Sequence, residues 1–175
     1  MGVPKVKGRI RAVTLAFCCT VLLAESINAP AFREYPVLEG LSVKRSEPDL
    51  ASHPLARQYR TTIRKAAARD PDFAGHYVVA WWGCGNECQQ SLILDLNTGK
   101  AYGIAGTNRP LETSRGISTR VDSKLLIADP PCDDGQSCLS EGRRNLPVRY
   151  YVLENGGLRL IKEMPCQVVK GTECK

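Results

Sequence analysis

HYVVAWWGCGNECQQSLILDLNTGKAYGIA, residues His76 to Ala105, is the stretch that decides the fold class. His76 to Trp82 is a run of β-branched and aromatic residues, the composition of a strand. Ser91 to Leu96 is a second apolar run, and Asn97-Thr98-Gly99-Lys100 behind it has the chemistry of a hairpin turn, with Gly99 suited to a positive φ. Ala101 to Ala105 then reads as the returning strand. Strands joined this closely in sequence pair antiparallel.

Working outward, the pattern changes on the N-terminal side. Leu55, Tyr59, Thr62, Ile63 and Ala66 are spaced i, i+4, i+7, i+8 and i+11, one apolar stripe of a helix. Ser52 or His53 stands where a cap is needed and Pro54 suits the first turn. Asp70-Pro71 ends the helix, because a residue before proline avoids helical geometry. On the C-terminal side, Lys124 to Ala128, Val148 to Leu153 and Leu158 to Lys162 read as strands, the last two joined at an Asn155-Gly156 hairpin turn. Residues 106–120 and 130–146 read as polar loops. The expected fold is α+β: one N-terminal helix packed on an antiparallel meander of about six strands, stabilised by disulfides. The expected organisation is a signal peptide at 1–31, an extended lead-in at 32–51 and a single domain at 52–175.

The signal reading rests on three features. Lys5, Lys7, Arg9 and Arg11 precede an uncharged run, Ala12 to Ala24, of 13 residues, short of the roughly 20 that a spanning helix needs. Ala29-Pro30-Ala31 places small residues at −3 and −1 of a cut before Phe32. Phe17 before Cys18 does not suit a lipobox. The chain as a whole carries +6, but removing 1–31 leaves 20 basic against 17 acidic residues, about +3. That charge does not call for a nucleic-acid partner, and cleavage would leave no integral span.

Eight cysteines less Cys18 and Cys19 leave six, and an even count in an exported chain reads as disulfides. Six cysteines allow fifteen connectivities; their spacing favours the local pairs Cys84–Cys88, Cys132–Cys138 and Cys166–Cys174. Zinc held by His76, Cys84 and Cys88, a redox-active pair and a cysteine nucleophile are the competing readings. An oxidising compartment weighs against zinc, the absence of C-x-x-C against a redox pair, and the even count, which leaves no cysteine over, against a nucleophile, so no metal or cofactor is expected.

The stretch FAGHY from Phe73, WGCG from Trp82, Cys88 and LDLNTGKAY from Leu94 resembles a family of small exported bacterial proteins of unassigned function. The likeness covers about residues 72–129. It implies export, a small β-rich domain and a Cys84–Cys88 bridge, and it brings no catalytic residues with it.

Candidate site residues cluster in the same stretch. Trp81 and Trp82 must point to opposite faces of a strand, so one is expected to enter the core, and the other either is exposed for contact or packs as well, one on the sheet and one under the helix. Asn86 and Glu87 lie in the adjacent Gly83 to Cys88 loop. These four, with His76, are the expected binding residues, in a secreted or periplasmic binding or inhibitor-like module whose partner is a protein or an envelope component. The alternatives are an envelope-polymer hydrolase, with His76 as base beside Asp72, Glu87 or Asp95, and a membrane-anchored structural envelope protein. Asp133 and Asp134 lack the spacing of a calcium loop. Arg57, Arg60, Arg64, Lys65 and Arg69 form a basic helix face, ordinarily a solvated one.

Overall fold

The computed structural model describes residue 2 and residues 28–38, 42–131 and 146–165. Most of the expected signal segment, the Asp133-Asp134 loop and the expected pairs Cys132–Cys138 and Cys166–Cys174 lie outside the described residues. Two short helices, α1 (Pro54–Gln58) and α2 (Arg60–Ala67), precede eight strands. The strands are β1 (Tyr77–Gly85), β2 (Cys88–Asp95), β3 (Ala101–Tyr102), β4 (Leu111–Thr113), β5 (Ile117–Ser118), β6 (Leu125–Ala128), β7 (Val148–Glu154) and β8 (Gly157–Met164). Among the described residues no helix is long and apolar enough to cross a membrane.

The strands form two antiparallel sheets rather than one meander. In the first, β1 pairs along one side of β2, while β3 and β4 share the other side. The second has the order β5-β6-β7-β8. Two strands beyond the expected six, β4 and β5, fall in the stretch read as a polar loop. They are three and two residues long, too short to show an alternation in sequence.

Period-two alternation distributes the strand side chains among three apolar clusters. Val78, Ala80 and Trp82 of β1, with Leu92 and Leu94 of β2, face Ile63 and Ala66 of α2. Val79 and Ile93, on the opposite face of that sheet, meet Leu126, Tyr151, Leu153 and Leu158 of the second sheet. Leu125, Val148, Tyr150 and Val152 face outward from the second sheet and are covered by Phe32, Tyr35 and Met164. The molecule is thus built as helices, sheet, sheet and an N-terminal cover. Each fully buried Leu or Ile stabilises it by about 1.5–3 kcal/mol relative to exposure.

The single expected helix is broken at Tyr59 (φ −100°, ψ 35°). The chain keeps turning, because Tyr59 N–H donates to Leu55 O at 2.8 Å and Ile63 N–H to Tyr59 O at 3.0 Å. The break falls at the residue whose ring stacks on Trp82, centroids 4.2 Å apart. His53 is the N-cap: its Nδ1 accepts from Leu55 N–H at 3.1 Å, and Pro54 follows as first helical residue. At the far end Arg45 donates to the carbonyls of Ala67 and Arg69, satisfying groups the helix leaves open.

Residues 32–38 and 42–51 are tied to the body of the fold by hydrogen bonds. Phe32–Glu34 forms a 3-10 turn. Ser46 N–H then donates to Leu96 O, and Asp49 N–H to Gly99 O, both at 2.8 Å. Both bonds reach the β2–β3 turn, whose own geometry explains its D-x-x-T-G pattern. Asp95 is buried, and its Oδ1 accepts from Asn97 N–H at 2.8 Å while its Oδ2 accepts from Thr98 Oγ1 at 2.7 Å. Gly99 sits at φ 75°, and a Cβ there would lie 2.0 Å from Glu47 O, so only glycine lets the lead-in pass.

Candidate functional site

The β1–β2 hairpin carries most of the residues singled out by sequence. Its end is closed by a two-residue turn, Asn86-Glu87, between the paired residues Gly85 and Cys88. The ladder is irregular at Cys84, which lies between the paired Gly83 and Gly85. Cys84 and Cys88 form a disulfide, Cα atoms 5.1 Å apart. That bond uses both thiols and leaves neither as a zinc ligand or a nucleophile. Glu87 is held at φ 51° and Gly85 at φ 137°, so the tip is a shape imposed by the short loop.

The two tryptophans divide as the alternation of a strand demands. Trp82 is 6% exposed, stacked on Tyr59, with its Nε1 donating to Gln90 Oε1 at 3.2 Å. It belongs to the core and is not available for contact in this structure. Trp81 is 55% exposed, the one exposed aromatic among the described residues. Gly83 to Glu87 are exposed beside it.

Trp81 also lies on an edge strand, since β1 pairs only with β2 in its sheet. Val79 N–H donates to Asp72 Oδ1 at 2.9 Å, and Val79 O accepts from Arg69. Val79 therefore turns its backbone away from β2, and by the same period Trp81 and Gly83 do so too. Asp72 and Arg69 cap the edge only at Val79 and are ion-paired at 3.4 Å. Burial pushes the Asp72 carboxyl above its usual range, opposed by its bond from Val79 and by Arg69. Beyond this cap the edge is a charge-free strand bearing one exposed indole.

His76 lies apart from the hairpin tip, at the other end of β1. Its Nε2 is 3.5 Å from Asp95 Oδ1, and its ring packs on Tyr77 with centroids 4.4 Å apart. Of the three carboxylates considered for it, the structure pairs it with Asp95. Asp72 serves the β1 edge instead, and Glu87 is at the opposite end of the hairpin. His76 opens onto a cavity of about 510 Å³ whose walls include Tyr77, Lys124 and Glu154. Asp95 is already committed to its turn, and no Ser, Thr or Cys lines this cavity among the described residues.

One group of charged residues escaped sequence reading. Asp129 is buried at φ 55°; its Oδ1 accepts from Ser114 N–H at 2.6 Å and Arg115 N–H at 2.7 Å, and its Oδ2 from Arg149 at 2.7 Å. Arg115 in turn donates to Asp129 O and Leu146 O. Burial of an acid beside Pro130-Pro131 leaves no spacing signature, and its partners are 14, 15 and 20 residues away. The basic residues Arg57, Arg60, Arg64 and Lys65 lie exposed along the outer side of α1 and α2, consistent with a solvated face. Among the described residues no three His, Cys, Asp or Glu side chains converge as a metal site would require.

No family model matches this chain, and no curated protein and no solved structure is similar to it.

Proposed function

We propose that this is an exported binding module that recognises a partner protein or envelope component through the end of its β1–β2 hairpin. The observation that carries the reading is Trp81. A large aromatic exposed on an uncapped edge strand, next to a disulfide-clamped turn, is both an anchor and a backbone template for an incoming extended segment. The clamp matters because a rigid loop loses little entropy on binding. Asn86 and Glu87 supply the polar rim, and Trp82 contributes by holding the hairpin to the helices.

Export is part of the proposal. The basic and apolar N-terminal segment supports it, and the Cys84–Cys88 disulfide is the bond an oxidising compartment keeps. The resemblance of the FAGHY and WGCGxxC stretches to small exported bacterial proteins, a reading of the sequence alone, is part of the same proposal.

The test is site-specific photocrosslinking in the native envelope. A photoreactive residue at position 81 or 86 should trap the same discrete partner, and one at Arg60 on the helices should not. Equal trapping from all three positions, or none from 81 and 86, overturns the reading. A second reading, hydrolysis of an envelope polymer, is favoured only by the His76–Asp95 pair at the 510 Å³ cavity. It requires that His76→Gln abolish turnover of a peptidoglycan or polysaccharide substrate while the fold stays intact.

A further inference from the structure

The outer edge of β1 is covered at its start by the chain that precedes it. Tyr77 N–H donates to Phe73 O at 2.9 Å, and Tyr77 O accepts from Phe73 N–H at 3.1 Å. Val79 is capped next, by Asp72 and Arg69. On the inner side Leu96 N–H donates to His76 O at 3.0 Å, so the even residues of β1 turn their backbone toward β2 and the odd ones away from it. The odd residues that remain are Trp81 and Gly83, both exposed, and no hydrogen bond among the described residues caps them from outside. The open edge is therefore two residues long and presents two N–H and two C=O groups.

An edge of this length is complementary to itself. In an antiparallel ladder a residue is satisfied by exchanging both of its bonds with the residue opposite. With Trp81 opposite Gly83 of a second copy, and Gly83 opposite its Trp81, all the open groups of both edges are used in four bonds. The two-fold axis then passes at Trp82. The neighbouring symmetric registers fail. Trp81 against Trp81 brings Gly83 onto the capped Val79, and Gly83 against Gly83 brings Trp81 onto Gly85, which has left the strand at φ 137°.

The side chains fit the same register. Trp81 and Gly83 lie on one face by the strand period. A Cβ at Gly83 would meet nothing within 4 Å, so the space above it is open. Each indole can lie over Gly83 of the other copy, and the two rings are diagonal neighbours within contact range. Ala80 to Gly85 carry no charge, so no like charges meet along the ladder. Beyond it, Glu87 of each copy approaches the half-exposed Arg69 of the other. Two indoles bury at most about 300–500 Å². The ladder adds to this without reaching the ~1,200 Å² of stable complexes, so the pair forms only where the chain is concentrated.

We infer that the open edge of β1 pairs with the same edge of a second copy of this chain, antiparallel about a two-fold axis at Trp82, each Trp81 ring covering Gly83 of the other copy. The inference rests on the reading of this hairpin as the binding surface and names its partner.

The experiment is sedimentation of the oxidised full chain from micromolar to millimolar concentration, with circular dichroism on the same samples. The average mass should rise toward twice that of the chain, and an exciton couplet from the paired indoles should grow with it. Trp81→Ala should weaken self-association at least tenfold. Gly83→Val places a strand-forming side chain in the seat of the indole, touches nothing in its own chain, and should abolish both signals. Arg60→Ala should change neither. A chain that stays monomeric to millimolar concentration overturns the inference, as does self-association that both hairpin variants leave intact. A photoreactive residue at position 86, which keeps Trp81 in place, separates this result from the broader reading. A crosslinked product of twice the chain mass supports the inference. A discrete product of any other mass from a monomeric chain overturns it and leaves the hairpin as the binding surface, whereas no product overturns both.

Discussion

Replacing Asp129 by Ala should destabilise the fold more than any single change on the surface. Asp129 is 3% exposed and joins three parts of the chain: the link between β4 and β5 through Ser114 and Arg115, the end of β6, which it directly follows, and β7 through Arg149. Removing it breaks a 2.7 Å ion pair and leaves two backbone N–H groups without their acceptor. Breaking a buried pair costs about 3–5 kcal/mol, and each orphaned donor about 1–3, with the terms overlapping. The side chain of Arg149 is 25% exposed and also donates to Glu112 O, so it recovers part of its solvation. A total near 4 kcal/mol follows, or about 8–16 °C in Tm for a chain of this length. Asp129→Asn retains one oxygen for the two N–H groups and should cost about half as much. Urea unfolding of D129A, R149A and the double variant measures the coupling, expected at about 1–3 kcal/mol. A D129A cost under about 1 kcal/mol, or single costs that simply add, would refute the view that this pair holds the two sheets together.

Three further outcomes follow from the same geometry. Cys84→Ser with Cys88→Ser should lower stability by about 2 kcal/mol, the chain-entropy value for so short a loop, measured by denaturant midpoint at unchanged m. Trp82→Ala should cost about 3–5 kcal/mol through the cavity left beside Tyr59, whereas Trp81→Ala should stay within about 0.5 kcal/mol by calorimetry while losing the photocrosslinked partner. Because burial lowers the His53 pKa, only the unfolded chain takes up its proton as pH falls through about 6.5. Its contribution to stability is therefore complete above that pH and declines below it towards the folded value, and a pH series of unfolding curves should be flatter for His53→Asn over this window.

What could be read from the sequence was whatever repeats locally. The β2–β3 and β7–β8 hairpins were legible because Thr98-Gly99 and Asn155-Gly156 need the positive φ that the structure gives Gly99, Asn155 and Gly156. The helical stripe was legible, but its break at Tyr59 was not, because the break depends on a ring 23 residues away on Trp82. The opposition of Trp81 and Trp82 followed from strand geometry, and which of them is buried follows from the side the helices cover. The division into two sheets was hidden, because β4 and β5 are set by pairing partners and not by their own composition. His53 was legible as a cap through Pro54, whereas its near-complete burial depends on the rest of the fold closing around it.

The same contrast explains where the candidate sites lie. The three apolar clusters use nearly every inward position of β1, β2, β6 and β7, and the polar side chains among the sheets, Ser91 and Thr113, are sealed from solvent. Groups that can meet a partner are left at the margins, where a strand ends or a turn begins. Trp81 and the clamped turn are at one end of β1, and His76 is at the other. The turn from Glu154 to Gly156 walls two cavities, one of about 300 Å³ lined also by His53 and one of about 510 Å³ lined also by His76. Because Gly156 packs against the ring of Tyr102, this turn moves only if Tyr102 moves with it.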